Sequence, residues 1–499
     1  MPTKHAMTMN HYYQLIPLCT LLCTSIPVMA QQKEVMELTL SQAIRIAQEN
    51  SPEAQAAHHA YRAAYWDYRF YKANYLPSLR LTSSPNMTNS ISKITQSDGS
   101  NEFLHQNQLN TDLTLEANQH LWFTGGSFFL KTQLQRLDDL ERDRTSYQSS
   151  PVVVGYRQSL FGYNDLKWDR RIMPRKFRES QKTYNEALEL VASQTCNHFF
   201  SLAAAQTNLD IANSNYASAD TLYRYAQGRY NIGTITENEM LQLEINQLTE
   251  ETNQLNARIS VEDQMQSFRS FLGLDHNIEI HLIHDDAIPR FSVPIGDAIR
   301  YAYENNPDPA RLETRRLESK SHLAYAKANA GLKADLYVQF GLSQTGKDFK
   351  SVYQDPSNQL YASVTLALPI LDWGRGKGRV RVARSNVDLV ETQVTQALKD
   401  FELNVSKMVR QFNLQAAHVD IAEKTHHTAE RRYDVAKRLY IMGKSTLLDL
   451  NAAIREKDTA RRNYIQTLSY YWSLYYGLRS MTGYDFEHNR KIEENYPEI

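Results

Sequence analysis

Two glycine-centred breaks, at equivalent points in the two halves of the chain, constrain the fold more than any other sequence feature. The interval of 210 positions between Gly233 and Gly443 also separates Gly273 from Gly483, each of which closes the helical pattern that follows. Glycine readily takes the left-handed conformation that ends a helix. A tyrosine, a threonine and an acid recur around both breaks, in the segments Tyr230-Asn-Ile-Gly-Thr-Ile-Thr-Glu-Asn-Glu239 and Tyr440-Ile-Met-Gly-Lys-Ser-Thr-Leu-Leu-Asp449. The sequence therefore predicts one helical hairpin used twice, with acids at both tips.

The first 30 residues have the pattern of a secretory signal. Lys4 precedes a mostly apolar run from Leu15 to Val28, and the small residue Ala30 ends a typical cleavage site. Cleavage removes Cys19 and Cys23, neither of which follows the small residue that lipoprotein processing prefers, so a lipid anchor is disfavoured. Cys196 is then the single cysteine of the mature chain, which excludes an intramolecular disulfide.

Charge and hydropathy narrow the class of protein further. The chain has 55 Lys and Arg against 56 Asp and Glu, so it lacks the basic footprint of a nucleic-acid-binding protein. After residue 30, no apolar run is long enough to cross a bilayer as a helix. The chain is therefore expected to be either a soluble exported protein or a β-barrel, whose strands give weaker sequence signals than helices.

A second recurring pattern lies upstream of each hairpin. Thr39 and Gln42 have the spacing of a capping box that opens a helix, and Asn50-Ser51-Pro52 interrupts that helix. The same pattern returns at residues 298–307, and the tripeptide Lys-Ala-Asn that ends at Asn74 returns at Asn329. These copies predict a duplicated domain half, with a first repeat at residues 31–290 and a second at residues 291–499.

Between the helical stretches the periodicity changes to alternation, at about residues 79–161 and again at about residues 335–371. Leu113 and Leu115 alternate with polar residues in the first segment, as do Leu336 and Val338 in the second. Apolar-faced strands of about 9–10 residues are long enough to span an outer membrane when tilted. A soluble β-sandwich alternates in the same way, so both structures remain open at this point.

The longest helical segments have the spacing of a coiled-coil seam. Large and small apolar residues alternate at intervals of three and four from Leu202 to Tyr230, and similar seams run from Val387 to Phe401 and from Tyr464 to Leu478. A continuous helix from about Asn164 to Gly228 has a length of roughly 100 Å. Helices of this length indicate a protein that bridges a distance.

This ordered pair of repeats resembles the TolC family of outer-membrane efflux and secretion channels. The resemblance covers nearly the whole mature chain and rests on six motifs: the helix start Leu38–Pro52, its copy at 295–307, the Gly233 and Gly443 hairpins, and the strand-to-helix junctions Gln158–Gly162 and Leu368–Gly374. It implies a mixed α and β fold, in which a homotrimer forms a coiled-coil α-helical barrel in the periplasm and a transmembrane β-barrel of twelve shared strands. Residues 121–150 are additional to that pattern, so the number of strands per protomer stays open.

The resemblance also implies a closed entrance at the hairpin tips. In the family, a tyrosine before the glycine, an arginine two residues after it and a nearby aspartate pair hold this entrance. Here Tyr440 and Asp449 match, Ser445 stands beside Lys444 in place of the arginine, and Ala452 replaces the second aspartate. The set of residues that holds the entrance closed in the family is thus only partly present in this chain. The gate candidates are Tyr230, Glu239, Tyr440, Lys444, Ser445 and Asp449, and the expected docking tips for a partner are Gly233, Thr234, Gly443 and Thr446.

In a trimer, three copies of Asp449 and of Glu239 would meet at the constriction. Like charges in a narrow ring raise one another's pKa and attract cations, so one hypothesis is a cation-selective pore whose conductance depends on pH. The alternative is that both acids are ordinary residues of the first helical turn, where the helix dipole favours negative charge.

Other constellations predict no chemistry. His58-His59 and His426-His427 are adjacent pairs, whose rings are expected to point in different directions on a helix, so no metal site is predicted there. The segment from Gly374 to Gly378 resembles a phosphate loop in composition alone, because it lacks the Gly-Lys-Ser/Thr ending. No nucleophile, base and orienting residue are found together, so the chain is not expected to be an enzyme or to need a cofactor.

The sequence therefore predicts a passive outer-membrane exit duct of a tripartite efflux pump or type I secretion system. Its expected partners are two further copies of the chain, a periplasmic adaptor, an inner-membrane transporter and outer-membrane lipid, with most of the mass in the periplasm. One rival is a soluble periplasmic coiled-coil adaptor, in which the alternating segments form a sandwich. A second rival is an enzyme that uses the Gly374 loop.

Overall fold

The computed structural model describes residues 34–275, 277–283, 287–492 and 496. The predicted signal segment at residues 1–30, with Cys19 and Cys23, lies outside the described residues. None of the helices in the described part of the chain carries the eighteen-residue apolar stretch that a membrane-crossing helix needs.

The described residues of the first half of the chain contain four helices and six strands. It begins with strand β1 (Glu34–Leu38) and helices α1 (Leu40–Asn50) and α2 (Pro52–Ala73). Four long strands follow: β2 (Ser78–Thr95), β3 (Asn101–His120), β4 (Ser127–Asp139) and β5 (Arg144–Ser159). The chain then forms the two helices of the first hairpin, α3 (Asp165–Asn231) and α4 (Glu237–Leu272), and ends this half with β6 (Ile278–Leu282).

The second half follows the same order with fewer strands. Helices α5 (Ile295–Asn305) and α6 (Pro307–Ala328) lead to strands β7 (Lys333–Gly346) and β8 (Ser357–Ala367), with a short 3-10 helix between them at Ser351–Tyr353. The second hairpin consists of α7 (Arg375–Ile441) and α8 (Leu447–Thr482). Two short strands, β9 (Tyr484–Asp485) and β10 (Arg490–Lys491), come last among the described elements.

Corresponding helices of the two halves have equal lengths. Helices α1 and α5 have 11 residues each, α2 and α6 have 22, α3 and α7 have 67, and α4 and α8 have 36. At 1.5 Å per residue, α3 and α7 are each about 100 Å long, as the seam spacing predicts. Length alone therefore makes these four hairpin helices the dominant feature of the molecule.

Local sequence signals set the helix ends. The capping box of Thr39 and Gln42 opens α1 as predicted, and the Ser51 side chain caps α2 just before Pro52. Gly273 and Gly483 end α4 and α8 in the left-handed conformation, with φ of 69° and 58°. The two hairpins thus end with the same left-handed glycine at the helix C-cap.

The long strands form one antiparallel sheet in the order β2-β3-β4-β5-β7-β8. Four of these strands come from the first half and two from the second, so the described part of the chain forms a sheet of six strands and not the four that the family resemblance implies. The additional segment noted in the sequence, residues 121–150, contributes β4 and the first part of β5. Within the described residues, β2 and β8 are edge strands with a partner on one side only.

The main core lies where the middle of α3 and α7 meets the C-terminal parts of α4 and α8 and the short helices of both halves. Phe199 and Phe268 fill it from the first hairpin, and Phe412, Tyr471 and Leu478 fill it from the second. The parallel pair β1 and β6 closes one side of this core. Because α3 packs against both α4 and α8, the two hairpins form one body.

Candidate functional site: hairpin tips and sheet

The tip of the first hairpin is closed by two backbone hydrogen bonds and a capping box. Gly233 has φ of 73°, its N–H donates to Tyr230 O at 2.9 Å, and the N–H of Thr234 donates to Arg229 O at 2.9 Å. This nested pair is the Schellman arrangement that glycine favours at a helix end. Thr236 and Glu239 then cap α4 reciprocally, with Thr236 N–H to Glu239 Oε2 at 3.0 Å.

The tip of the second hairpin repeats this geometry. Gly443 has φ of 70°, its N–H donates to Tyr440 O at 3.0 Å, and the N–H of Lys444 donates to Leu439 O at 2.9 Å. Thr446 and Asp449 cap α8 reciprocally, because Thr446 N–H donates to Asp449 Oδ2 at 3.3 Å and Asp449 N–H donates to Thr446 Oγ1 at 3.2 Å. The Asp449 carboxylate also accepts hydrogen bonds from the Thr446 hydroxyl at 2.6 Å and from the Ser445 hydroxyl at 3.2 Å. The structure therefore gathers the predicted residues into two tips of the same construction.

Capping has an electrostatic consequence for Asp449. Hydrogen bonds from the Thr446 side chain and backbone and from Ser445 favour the ionised carboxylate, and they hold the pKa of Asp449 below its ordinary value. Within one chain, this direction is opposite to the rise expected for a ring of crowded like charges. The contacts of one chain thus extend the range over which this carboxylate stays charged to a lower pH.

Tyr440 connects the two tips electrostatically. Burial raises the pKa of its hydroxyl, the positive charge of Arg229 opposes that rise, and Glu239 and Tyr225 add to it. All three neighbours belong to the first hairpin, whereas Tyr440 lies in the last turn of α7 in the second hairpin. The sequence reasoning missed Arg229, whose only local signal is a basic residue in the last turn of α3, where the dipole favours cations.

A cavity of about 500 Å³ lies behind the tips, between α3, α7 and α8. It is lined mainly by apolar and aromatic side chains, among them Leu222, Tyr225, Tyr433, Ile441 and Leu450. Lys457 lies 4.2 Å from the centre of the Tyr433 ring and 3.5 Å from Asp458. The two hairpins are therefore less tightly packed just behind the tips than in the core.

The sheet exposes its apolar face. Apolar residues meet across neighbouring strands in the pairs Leu81–Leu115, Leu113–Leu134, Leu130–Val154, Val154–Phe340 and Phe340–Leu360. Leu81 is 65% exposed, Phe340 55% and Leu360 71%. A soluble sheet buries such a face against another layer. In the described residues no second layer covers it, because the other sheets are the two short pairs β1–β6 and β9–β10.

The opposite face of the sheet is more polar and more buried. Phe129 is 2% exposed, and its ring lies against Gly155, where a Cβ atom would approach within 2.1 Å. Arg157 lies over the Phe129 ring at 4.3 Å and pairs with Glu116 at 3.2 Å. Strands with an exposed apolar face and a polar face toward the inside are typical of outer-membrane barrels.

The Gly374 loop has its backbone amides already bonded. The Asp372 carboxylate accepts hydrogen bonds from the N–H of Gly374 at 2.9 Å and from the N–H of Gly376 at 2.7 Å. These are the groups that a phosphate loop would offer to a nucleotide. The loop therefore serves as the start of α7.

One expectation about histidine geometry is wrong. The rings of His426 and His427 stack at 5.4 Å, and each lies 3.7 Å from an oxygen of Glu430. The two side chains converge because Glu430 is four residues from one and three from the other, which places it beside both on the helix surface. Three ligand atoms within 4.8 Å of one another could hold a metal, but all come from one helix turn.

Comparison with known proteins gives the class of this architecture. The profile of the outer membrane efflux protein family matches residues 125–274 and 298–483. No curated protein sequence matches the chain. The chain belongs to the outer membrane efflux protein family, and its location is the outer membrane.

Solved structures show the same fold at low sequence identity. The CmeC outer membrane channel of Campylobacter jejuni is 16% identical, with 91% of this chain and 87% of that chain covered and a TM-score of 0.66. The outer membrane protein VceC of Vibrio cholerae is 14% identical, with 89% and 96% covered and a TM-score of 0.63. The open state of the MtrE channel of Neisseria gonorrhoeae is 13% identical, with 91% and 90% covered and a TM-score of 0.59. The protein is thus an efflux channel by family, and the soluble adaptor is not favoured.

Proposed function

We propose that three copies of the chain form one continuous duct, in which their six-stranded sheets close a barrel of eighteen strands in the outer membrane. The number of copies follows the family resemblance, and the exposed apolar face of the sheet with its two open edges carries the proposal. Open edges present unpaired N–H and C=O groups, which lipid cannot satisfy. Pairing β2 of one copy with β8 of the next satisfies them around the whole ring.

The hairpin helices continue this barrel as a periplasmic tunnel. Each protomer contributes α3, α4, α7 and α8, and the equal lengths of corresponding helices support two structural repeats, at residues 31–290 and 291–499. The tunnel is about 100 Å long at the length of α3. The chain acts as a passive conduit without catalysis, and an inner-membrane transporter supplies the energy.

The tips of the hairpins form the gate of the tunnel. Tyr440 is partly buried against the first hairpin, where Arg229 supplies the cation that Ser445 cannot. Tyr230 stands at the same place in the first tip as Tyr440 in the second. Glu239 and Asp449 place negative charge at the entrance, which attracts cations. Opening requires the two hairpins to separate at this contact.

A periplasmic adaptor docks on the hairpins next to the tips of Gly233, Thr234, Gly443 and Thr446. A groove of about 730 Å³ between α7 and α8 supports this assignment. Small residues, Ala429, Ala452 and Ala460, line its floor, while Arg432 and Arg455 stand among its polar residues. A groove with small residues admits a helix closely, in the way amphipathic helices dock in other proteins.

The channel is tested by purification in detergent followed by recording in planar bilayers. The protein should require detergent, have the mass of a trimer and conduct ions across the bilayer. Replacing Tyr230 and Tyr440 together with alanine should raise the conductance several-fold, because the entrance loses the Tyr440 contact between the hairpins and the equivalent tyrosine of the first tip. Tyr470→Ala is the matched control, since Tyr470 is an exposed tyrosine of α8 away from the tip, and it should leave the conductance unchanged.

The charge of the entrance is tested separately. Asp449→Asn with Glu239→Gln should reduce the preference for cations over anions, because the entrance loses its negative charge. Glu262→Gln with Asp263→Asn removes two exposed acids of α4 and should have no such effect. A detergent-independent monomer would contradict the channel assembly, and equal selectivity in both double variants would contradict the gate.

A further inference from the structure

Exposed cations follow the start of both 67-residue helices at equivalent positions. Lys167 and Arg171 lie in the first two turns of α3, and Lys377 and Arg381 lie in the first two turns of α7. All four side chains are exposed, and each pair has the four-residue spacing that places both members on one helix face. The interval between the pairs is the one that separates the two tip glycines. We name these four residues the basic belt.

The basic belt lies just beyond the exposed apolar face of the sheet. Strand β8 ends at Ala367, and the connection to α7 carries Ile370, which is 94% exposed, and Trp373, which is 90% exposed. At the corresponding end of the first sheet segment, Trp122 lies 3.9 Å under the Arg170 guanidinium. Exposed tryptophan beside an apolar band is typical of a membrane–water interface.

The charged residues at the start of α7 are all positive. Residues 375–387 contain Arg375, Lys377, Arg379, Arg381 and Arg384 and no acid, although the whole chain has nearly equal numbers of acids and bases. Arg381 is about 9 Å along the axis from Arg375, the first residue of α7. Long cationic side chains can reach back toward an interface, so both residues of the pair lie within reach of a headgroup layer at the level of these tryptophans.

We propose that the basic belt binds the anionic headgroups of phospholipids in the periplasmic leaflet of the outer membrane. Arginine pairs with phosphate through two hydrogen bonds, and clustered Lys and Arg next to a membrane attract anionic lipid. The proposal rests on the proposed insertion of the apolar face into the membrane. In a trimer, the belt forms a ring of twelve cations, four from each protomer, that fixes the depth of the channel in the bilayer.

Quenching of tryptophan fluorescence by brominated lipids tests the proposal, because Trp373 and Trp122 lie at the level of the belt. The trimer is reconstituted in vesicles with brominated phosphatidylglycerol or brominated phosphatidylcholine in competition with unlabelled lipid. The anionic lipid should be preferred by about five-fold, and the preference should shrink in high salt. A quadruple variant should lose the preference: Lys167→Gln, Arg171→Gln, Lys377→Gln and Arg381→Gln.

A control variant removes four exposed cations farther along α7 and should keep the preference: Lys399→Gln, Lys407→Gln, Arg410→Gln and Arg431→Gln. Equal quenching by the two lipids, or a preference that survives in the quadruple variant, would overturn the proposal. Inorganic phosphate that removes the preference more strongly than chloride at equal ionic strength would identify a site for free anions and would also overturn it. No quenching by either lipid would show that the apolar face is not inserted, which contradicts the proposed channel itself.

Discussion

At the scale of single residues, the tip glycines are required because of their backbone φ angle and not because a side chain would lack space. A Cβ atom added at Gly233 or Gly443 would have no heavy atom within 4 Å, yet both residues have φ near 70°. An L-residue in this region crowds its own carbonyl oxygen. The glycine at each tip therefore keeps the turn tight without contributing to packing.

Gly443→Ala should destabilise the second tip by about 1 kcal/mol, because alanine is strained in the left-handed conformation. Hydrogen exchange at the Lys444 amide, which donates to Leu439 O, reports the opening of this turn. Gly228→Ala is the matched control: Gly228 also has open space around it but lies within α3, so alanine there should stabilise the helix by about 0.5–1 kcal/mol. Equal effects of both substitutions would contradict a torsional role for Gly443.

The Asp449 cap gives the tip a pH dependence of defined sign. The pKa of Asp449 in the folded protein is below the ordinary value of 3.8. The carboxylate therefore contributes its full stabilisation at pH values above 3.8, and this stabilisation is lost as the pH falls through the folded pKa. In a Glu239→Gln background, which isolates Asp449, cation selectivity in bilayers should persist at pH 5 and decline below pH 3.8. Loss of selectivity at a pH well above 3.8 would show instead that crowding in the trimer dominates the capping hydrogen bonds.

At the scale of elements, one half-buried arginine joins the two hairpins near the core. Arg479 of α8 donates two hydrogen bonds to Glu189 of α3, at 2.9 and 3.0 Å, and a third to Asp485 of β9 at 2.9 Å. The acidic side chains are only 7% and 4% exposed. Because neither carboxylate can turn to water, this contact fixes the position of α8 against α3.

Arg479→Met should reduce the free energy of unfolding by about 3–5 kcal/mol, since it leaves the buried Glu189 carboxylate without its cation. Asp485 loses the same cation but keeps its contact with His488. Urea unfolding of the detergent-solubilised protein, followed by circular dichroism, measures the change. Arg300→Met is the control, because the Arg300–Asp297 pair is 56% and 45% exposed and should contribute less than about 1 kcal/mol. Similar losses in both variants would mean that the buried network does not hold the hairpins together.

At the scale of the whole molecule, the additional hairpin β4–β5 sets the width of the sheet. The chain between α2 and α3 spans residues 74–164, whereas its counterpart between α6 and α7 spans residues 329–374. A hairpin leaves and returns to the same end of the sheet, so its addition changes the number of strands without changing where the helices begin. A barrel grows in diameter roughly in proportion to its number of strands.

Deletion of residues 121–159 should therefore give a trimer with twelve strands, because β3 runs in the same direction as β5 and can pair with β7 in its place. The barrel should narrow by about a third in electron micrographs. Deletion of the turn at residues 96–100 is the control, since it removes no strand and should leave the diameter unchanged. An unchanged diameter in the larger deletion would contradict the inclusion of β4 and β5 in the barrel wall.

The sequence by itself determined the local features of this protein: the hairpin turns, the capping box of Thr39 and Gln42, the helix seams, and the recurrence of the turns and the seams. Thr39, Gly233 and Gly443 are each recognisable because the conformation they favour depends on a few neighbouring residues. The coiled-coil prediction succeeded for the same reason, as Ala205, Ala212 and Ala219 are buried at the predicted spacing. Their order along the chain was also enough to indicate the family.

Only the tertiary structure decided which face of the sheet is covered and which residues meet across the molecule. Alternation along a strand is the same in a sandwich and in a barrel, so the exposure of Leu81 and the burial of Phe129 became visible only once all six strands were paired. Arg229 and Tyr440, and likewise Arg479 and Glu189, are far apart in the chain and carry no local signal of their approach. Pairing over such distances depends on the packing of whole elements, which no short stretch of sequence encodes.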